Sequence, residues 1–151
     1  MRQPDYLIAD EPHPGRFEAW VVQPFIPLLA TMLVGSLVGL PWLVFNGWAM
    51  GSVTRRRDTV IAVVTWFVQV VLLLSGILLA TFRFMPEGRL GYVRIFASVV
   101  VLLGAYAIQL SQEASFELHQ YFGGRVWPRG WQLLGVLFLL RMLLLGGLVS
   151  A

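Results

Sequence analysis

The sequence predicts an all-α polytopic membrane protein with four transmembrane helices in a bundle, and three observations carry the prediction. Hydrophobic residues fill 58% of the 151 positions while charged residues fill 13%. Mean hydropathy is +0.75, and the apolar residues gather into four long stretches separated by short charged segments. This composition lies outside the soluble globular range. No intervening segment is long enough to form a water-soluble domain with its own core. Function is therefore expected in the bundle or its loops, with the lipid bilayer as the first partner.

The chain opens on a polar arm, residues 1–23, in which Asp5, Asp10, Glu11 and Glu18 accompany Arg2 and Arg16, and Pro4, Pro12 and Pro14 oppose a helix. A secretory signal would open on a basic cluster followed directly by an apolar core, so the arm reads as a retained segment. The first charge-free run, Ala19 to Thr54, would measure about 54 Å as one helix against a hydrocarbon core of about 30 Å. Its spanning part is placed at about 24–51. Pro24 and Pro27 fall in the opening turn, and Pro41 is expected to kink the helix by freeing the Leu37 carbonyl. The alternative is a re-entrant hairpin broken at Pro41.

The second span, about 59–82, is opened by Asp58 as N-cap. The third, about 93–112, is expected to continue outward as helix through Phe122 until Gly123 and Gly124 stop it. The fourth covers about 131–150, and the four-helix domain as a whole 24–151. Trp20, Trp66, Trp127 and Trp131 are read as interfacial anchors near helix ends, where an indole keeps its N–H wet and its ring buried.

Three constellations are candidate functional sites. Along the first helix Thr31, Gly35, Gly39, Gly47 and Gly51 recur at steps of four, interrupted at Leu43. Small residues at that spacing clear one face for a neighbouring backbone, from this chain, a second copy or another membrane protein. In the last span Arg141 places a permanently charged guanidinium near mid-depth, which is costly in hydrocarbon. Gln69 lies at nearly the same depth and offers one acceptor. The remaining charge is expected to be met by snorkelling, a partner carboxylate or a bound anion. In the third helix Gln109, Glu113, Glu117 and Gln120 share one face running from inside the membrane boundary outward. His119 points elsewhere, so this polar face is not expected to hold a metal.

Other function classes lose their chemistry. No cysteine is present, which removes thiolate metal sites, Fe–S clusters and thiol catalysis. The phosphate-loop, nucleophile-elbow and zinc-protease motifs are missing, so no enzyme and no cofactor is expected. The net charge of +3 comes from arginines without an interleaved base-stacking surface, which argues against nucleic acid. All eleven basic residues are arginine, a bias expected of a GC-rich bacterial genome, and the expected location is the bacterial inner membrane.

With four spans the loop arginines divide evenly between the two sides. Arg55, Arg56 and Arg57 in one short loop break the tie and place both termini in the periplasm. Two functions follow from these readings. The first is a small membrane subunit or scaffold that packs on partner membrane proteins, or on a second copy, through the glycine face and Arg141. The second is a homo-oligomeric channel or carrier in which Arg141 and Gln69 line a path for an anion or small solute.

Overall fold

The computed structural model describes residues 17–82 and 89–149, side chains 146–149 excepted, so most of the polar arm lies outside the described residues. The described chain is all-helical. A 3-10 turn at Glu18–Trp20 leads into α1 (Phe25–Leu33), α2 (Ser36–Ala49), α3 (Arg55–Thr81), α4 (Leu90–Tyr121) and α5 (Gly130–Val149). Two of these, α3 and α4, are long and apolar enough to cross a membrane, and α5 carries a shorter apolar segment, Gly130–Leu145.

The first apolar run is not one helix kinked at Pro41. It is two helices that fold back on each other, and the break falls at Gly35. Gly35 adopts φ +120° and ψ 169°, a conformation open to glycine and strained for any residue with a Cβ. Val34 and Gly35 both donate their N–H to the Ala30 carbonyl, at 2.8 and 3.0 Å, closing α1. Pro41 sits inside α2, which continues through it, and the residue is exposed. At 1.5 Å per residue α1 measures about 14 Å and α2 about 21 Å, so neither limb alone matches a hydrocarbon core of about 30 Å.

Asn46 locks the two limbs together at the open end of the hairpin. Its Oδ1 accepts from the Val22 N–H and its Nδ2 donates to the Val22 carbonyl, both at 2.9 Å. Both residues are fully buried. Val22 lies before the first turn of α1, where the backbone has no helical partner, and the side-chain amide supplies one for each group. The same end is tied to the rest of the chain by Trp127, whose N–H donates to the Val21 carbonyl at 2.7 Å, and by the Trp20 and Trp127 rings at 5.1 Å.

Helices α3 and α4 form an antiparallel pair that meets at glycines. Thr65 packs against Gly104 and Val93 against Gly76, each in space that a Cβ would fill. The hairpin leans on this pair through one apolar core of Leu28, Leu40, Leu43, Ala62, Val101, Ala105 and Ile108. Helix α5 packs mainly on α1, where Leu134 joins Val22, Ile26 and Ala30. Helix α4 does run outward to Tyr121, and Gly123, at φ +78°, follows its end.

Two further expectations are corrected. Asp58 is not the N-cap of α3. The helix starts three residues earlier with Thr54 at the cap position, and Asp58 lies in the first turn. Trp66 lies eleven residues into α3, about 16 Å along its axis, rather than near an end.

Candidate functional site

The turn of the hairpin, residues 34–35, ends about halfway along the bundle, and the polar residues of that level converge on it. A cavity of about 340 Å³ is lined by Thr31, Gly35 and Ser36 from the hairpin, Gln69 from α3, Ser98 from α4 and Arg141 from α5. Depth explains the convergence. Arg141 follows Gly130 by eleven residues and Gln69 follows Arg55 by fourteen, about 16 and 21 Å from one end of the bundle. The hairpin turn lies at a similar distance.

Arg141 has a partner in the chain, of a kind no residue count reveals. Its Nη1 donates to the Leu33 carbonyl at 2.5 Å. Leu33 is the last residue of α1, so its carbonyl is one of the four left without an intrahelical partner. Breaking the helix exposes the negative end of its dipole at mid-height, and the guanidinium caps it.

The charge balance of the cavity follows. The end of α1 contributes about −0.5 of a charge and the start of α2 about +0.5. Arg141 adds a full positive charge, and among the described residues no carboxylate lines the cavity. The first N–H groups of α2 receive no side-chain cap. The cavity, which Met32, Val101 and Leu102 also line, is therefore a small chamber of mixed polarity with a net charge of about +1.

The glycine stripe does not form one face. Gly35 is the hinge, and Gly51, at φ +69°, ends α2. Gly39 lies against Thr31 across the hairpin, so close that a Cβ would overlap the Thr31 backbone. At Gly47 a Cβ would come within 2.8 Å of Gln112 Nε2. The space that small residues clear is thus filled by this chain's own α1 and α4. Thr31 itself turns its hydroxyl onto the Pro27 carbonyl at 3.0 Å.

The polar face of α4 lies toward the open end of the hairpin. Gln109, Glu113, Glu117 and Gln120 line a cavity of about 200 Å³ with Gln23, Phe25 and Phe116, and Gln109 Nε2 donates to Glu113 Oε2 at 3.2 Å. Among the described residues no cluster of three or more His, Asp or Glu side chains is arranged to hold a metal. His119 is buried under the turn after α4, its Nε2 at 3.2 Å from the Arg125 carbonyl.

Sequence reasoning missed a buried polar network where α2, α3 and α4 meet. The Asp58 side chain is 1% exposed. Its Oδ1 accepts from the Ser111 hydroxyl at 2.7 Å and its Oδ2 from the Thr54 hydroxyl at 3.0 Å. Ser52 Oγ, at 2.9 Å from both Thr54 Oγ1 and Ser115 Oγ, extends the chain of hydroxyls. Gln112 donates to the Leu43 carbonyl at 2.9 Å. The one ion pair among the described residues, Arg57 to Asp58 at 4.0 Å, starts from an exposed arginine and contributes little. The available signal was Ser111, Gln112 and Ser115 together on α4, placed opposite Asp58 by the antiparallel register of α3 and α4. This network joins α2, α3 and α4.

No protein-family model, curated protein or solved structure matches this chain.

Proposed function

We propose that the chain is a bacterial inner-membrane protein that binds and passes a small anion at mid-bilayer, at the turn of a re-entrant hairpin. One observation carries the reading: Arg141, the uncapped start of α2 and Gln69 share a cavity that, among the described residues, no carboxylate lines. A net positive chamber inside hydrocarbon is stabilised by an anion from solution. Half-helices whose ends meet near the bilayer midplane supply the oriented dipoles that bind ions without extra charged side chains. The glycine stripe, which would otherwise argue for docking on a partner, is taken up within the chain.

In this reading α3, α4 and α5 span the membrane and α1 with α2 enters and leaves on the same side. That odd number of crossings breaks the even division of arginines. Among the described residues Arg55, Arg56, Arg57, Arg125 and Arg129 lie at the open end of the hairpin, and Arg89 and Arg94 at the other. The positive-inside bias then puts the open end of the hairpin in the cytoplasm, replacing the orientation inferred from four spans. The chain has no cysteine, so single cysteines report this cleanly. In intact cells, after removal of the outer membrane, an impermeant maleimide is expected to label Arg89→Cys and to spare Arg125→Cys until the inner membrane is opened. The reverse pattern would refute this orientation.

The transport reading is tested in liposomes. Purified protein is expected to pass a small monovalent anion, with Arg141→Gln slowing the flux about tenfold or more, as loss of a charged hydrogen-bond donor of about 1.5–3 kcal/mol implies. Arg141→Lys, which keeps the charge, is expected to retain part of it. Absence of flux from the unmodified protein, or flux unchanged in Arg141→Gln, would end this reading. One observation favours a second one, a subunit whose partner supplies the counter-charge. Helix α5 packs mainly on α1 and leaves Leu139, Leu140, Leu143 and Leu144 exposed around Arg141. Zero flux together with a co-purifying helix carrying an intramembrane carboxylate would support it instead.

A further inference from the structure

A third cavity opens on the outer side of the hairpin, between α2 and α3, with a volume of about 810 Å³, inside the range of about 300–1,000 Å³ typical of small-molecule sites. Its lining is apolar along most of its length, through Leu37, Leu40, Val44, Ala62, Val63 and Trp66. Apart from Ser36 at the far end, the polar groups collect at one end. There the Arg55 guanidinium carbon stands 4.8 Å from the centre of the Trp48 ring, and Trp48 Nε1 donates to the Thr59 hydroxyl at 3.0 Å. Stacking on an indole that is itself fixed by a hydrogen bond holds the guanidinium at the mouth of the groove. Among the described residues no carboxylate lines the groove, and Arg56 and Arg57 beside it are exposed.

We infer that this groove seats one acyl chain of an anionic phospholipid whose phosphate is held by Arg55. The dimensions fit. From Arg55 to Trp66 the groove runs eleven residues along α3, about 16 Å, and one leaflet of a hydrocarbon core of about 30 Å is about 15 Å deep. Its charged mouth lies at the helix start and its apolar end near the hairpin turn, the polarity of a lipid in one leaflet. Charge complementarity selects this occupant over a second copy of the chain, since a helix laid in the groove would cover the apolar walls and leave Arg55 unmatched. A guanidinium binds phosphate through paired, charge-assisted hydrogen bonds. The inference shares with the anion reading only the placement of the bundle in a bilayer, and it uses none of the residues around Arg141 except Ser36 at the far end.

Native mass spectrometry of the full chain in mild detergent, with equal amounts of phosphatidylglycerol and phosphatidylcholine bearing the same acyl chains, tests it. One phosphatidylglycerol is expected to be retained with a preference of about tenfold or more, the effect of one charge-assisted contact. Arg55→Gln is expected to reduce that preference to near unity while weak binding of both lipids persists. Val63→Trp, at a groove position 60% exposed, is expected to lower retention of both lipids, and Arg56→Gln to leave retention near that of the unmodified chain. Equal retention of the two lipids by the unmodified protein, or an Arg55→Gln variant as selective as the parent, overturns the proposal. So does lipid binding that appears only after residues 1–16 are removed, which would identify the chain's own arm as the occupant. A dimer that dissociates on Val63→Trp while lipid is not retained would identify a second copy.

Discussion

Replacing Gly39 by leucine is expected to abolish the folded hairpin, and with it any preparation that stays monodisperse in mild detergent. A Cβ at position 39 overlaps Thr31, and the atoms it meets include the Thr31 backbone N and Cα. A flexible side chain could swing away, but backbone atoms move only if α1 moves. Helix α1 is held on its far side by Leu134 of α5 and at its open end by Asn46. Even Gly39→Ala forces the limbs apart, at a cost of the order of the 1–3 kcal/mol seen for overpacked cores, and leucine adds three more carbons at the same point. Gly91→Leu and Gly135→Leu are the controls, because a Cβ at either meets nothing within 4 Å. The measurement is the folded fraction by size exclusion and thermal unfolding. A Gly39→Leu chain as stable as Gly135→Leu would show that the hairpin limbs do not pack as described. Read from the sequence as a docking face for a partner, the glycine stripe would make the same substitution dissolve an assembly and spare the monomer; with Gly39 against Thr31 the damage falls on the monomer.

That change of expectation shows what the sequence could and could not reveal. Helical periods, apolar lengths and the glycine stop after Tyr121 depend on neighbouring residues, so the presence of α3 and α4 and the end of α4 were legible, while the start of α3 was not. Relative depth was also legible, since each helical residue rises 1.5 Å. Counting from helix ends brings Gln69 and Arg141 to one level, and they line one cavity. The fold-back was not, because small residues at steps of four have two geometric meanings. In one straight helix they make a stripe. In two limbs joined at Gly35, positions 31 and 39 are equidistant from the turn and face each other. Proline misled as well: α2 continues through Pro41, and the chain breaks six residues earlier, at Gly35. The partner of Arg141 was illegible in principle, because Leu33 contributes its backbone carbonyl and its residue type carries no signal.

The hairpin's other fastening gives the second large effect, expected from Asn46→Leu. Leucine is close to asparagine in size and would fill the same space without its amide. The substitution removes both hydrogen bonds to Val22 and leaves a buried N–H and a buried C=O without partners. Each unsatisfied group costs about 1–3 kcal/mol in a protein interior. Asn46→Asp separates the two halves of the interaction, since it can still accept from the Val22 N–H but no longer donates to the Val22 carbonyl. Hydrogen exchange at the Val22 amide supplies a local readout. The amide is expected to be protected in the parent, to remain partly protected in Asn46→Asp and to exchange freely in Asn46→Leu, with a parallel fall in unfolding midpoint. Protection retained in Asn46→Leu would mean that packing alone, through Ile26 and Leu134, fixes the open end of the hairpin. The consequence reaches the far end of the limb. Residues 22 to 33 carry the Leu33 carbonyl to Arg141, so a hairpin unfastened at its mouth can withdraw that carbonyl and leave the guanidinium without its cap. If the anion reading is right, Asn46→Leu lowers flux without touching any residue of the cavity, and Asn46→Asp lowers it less.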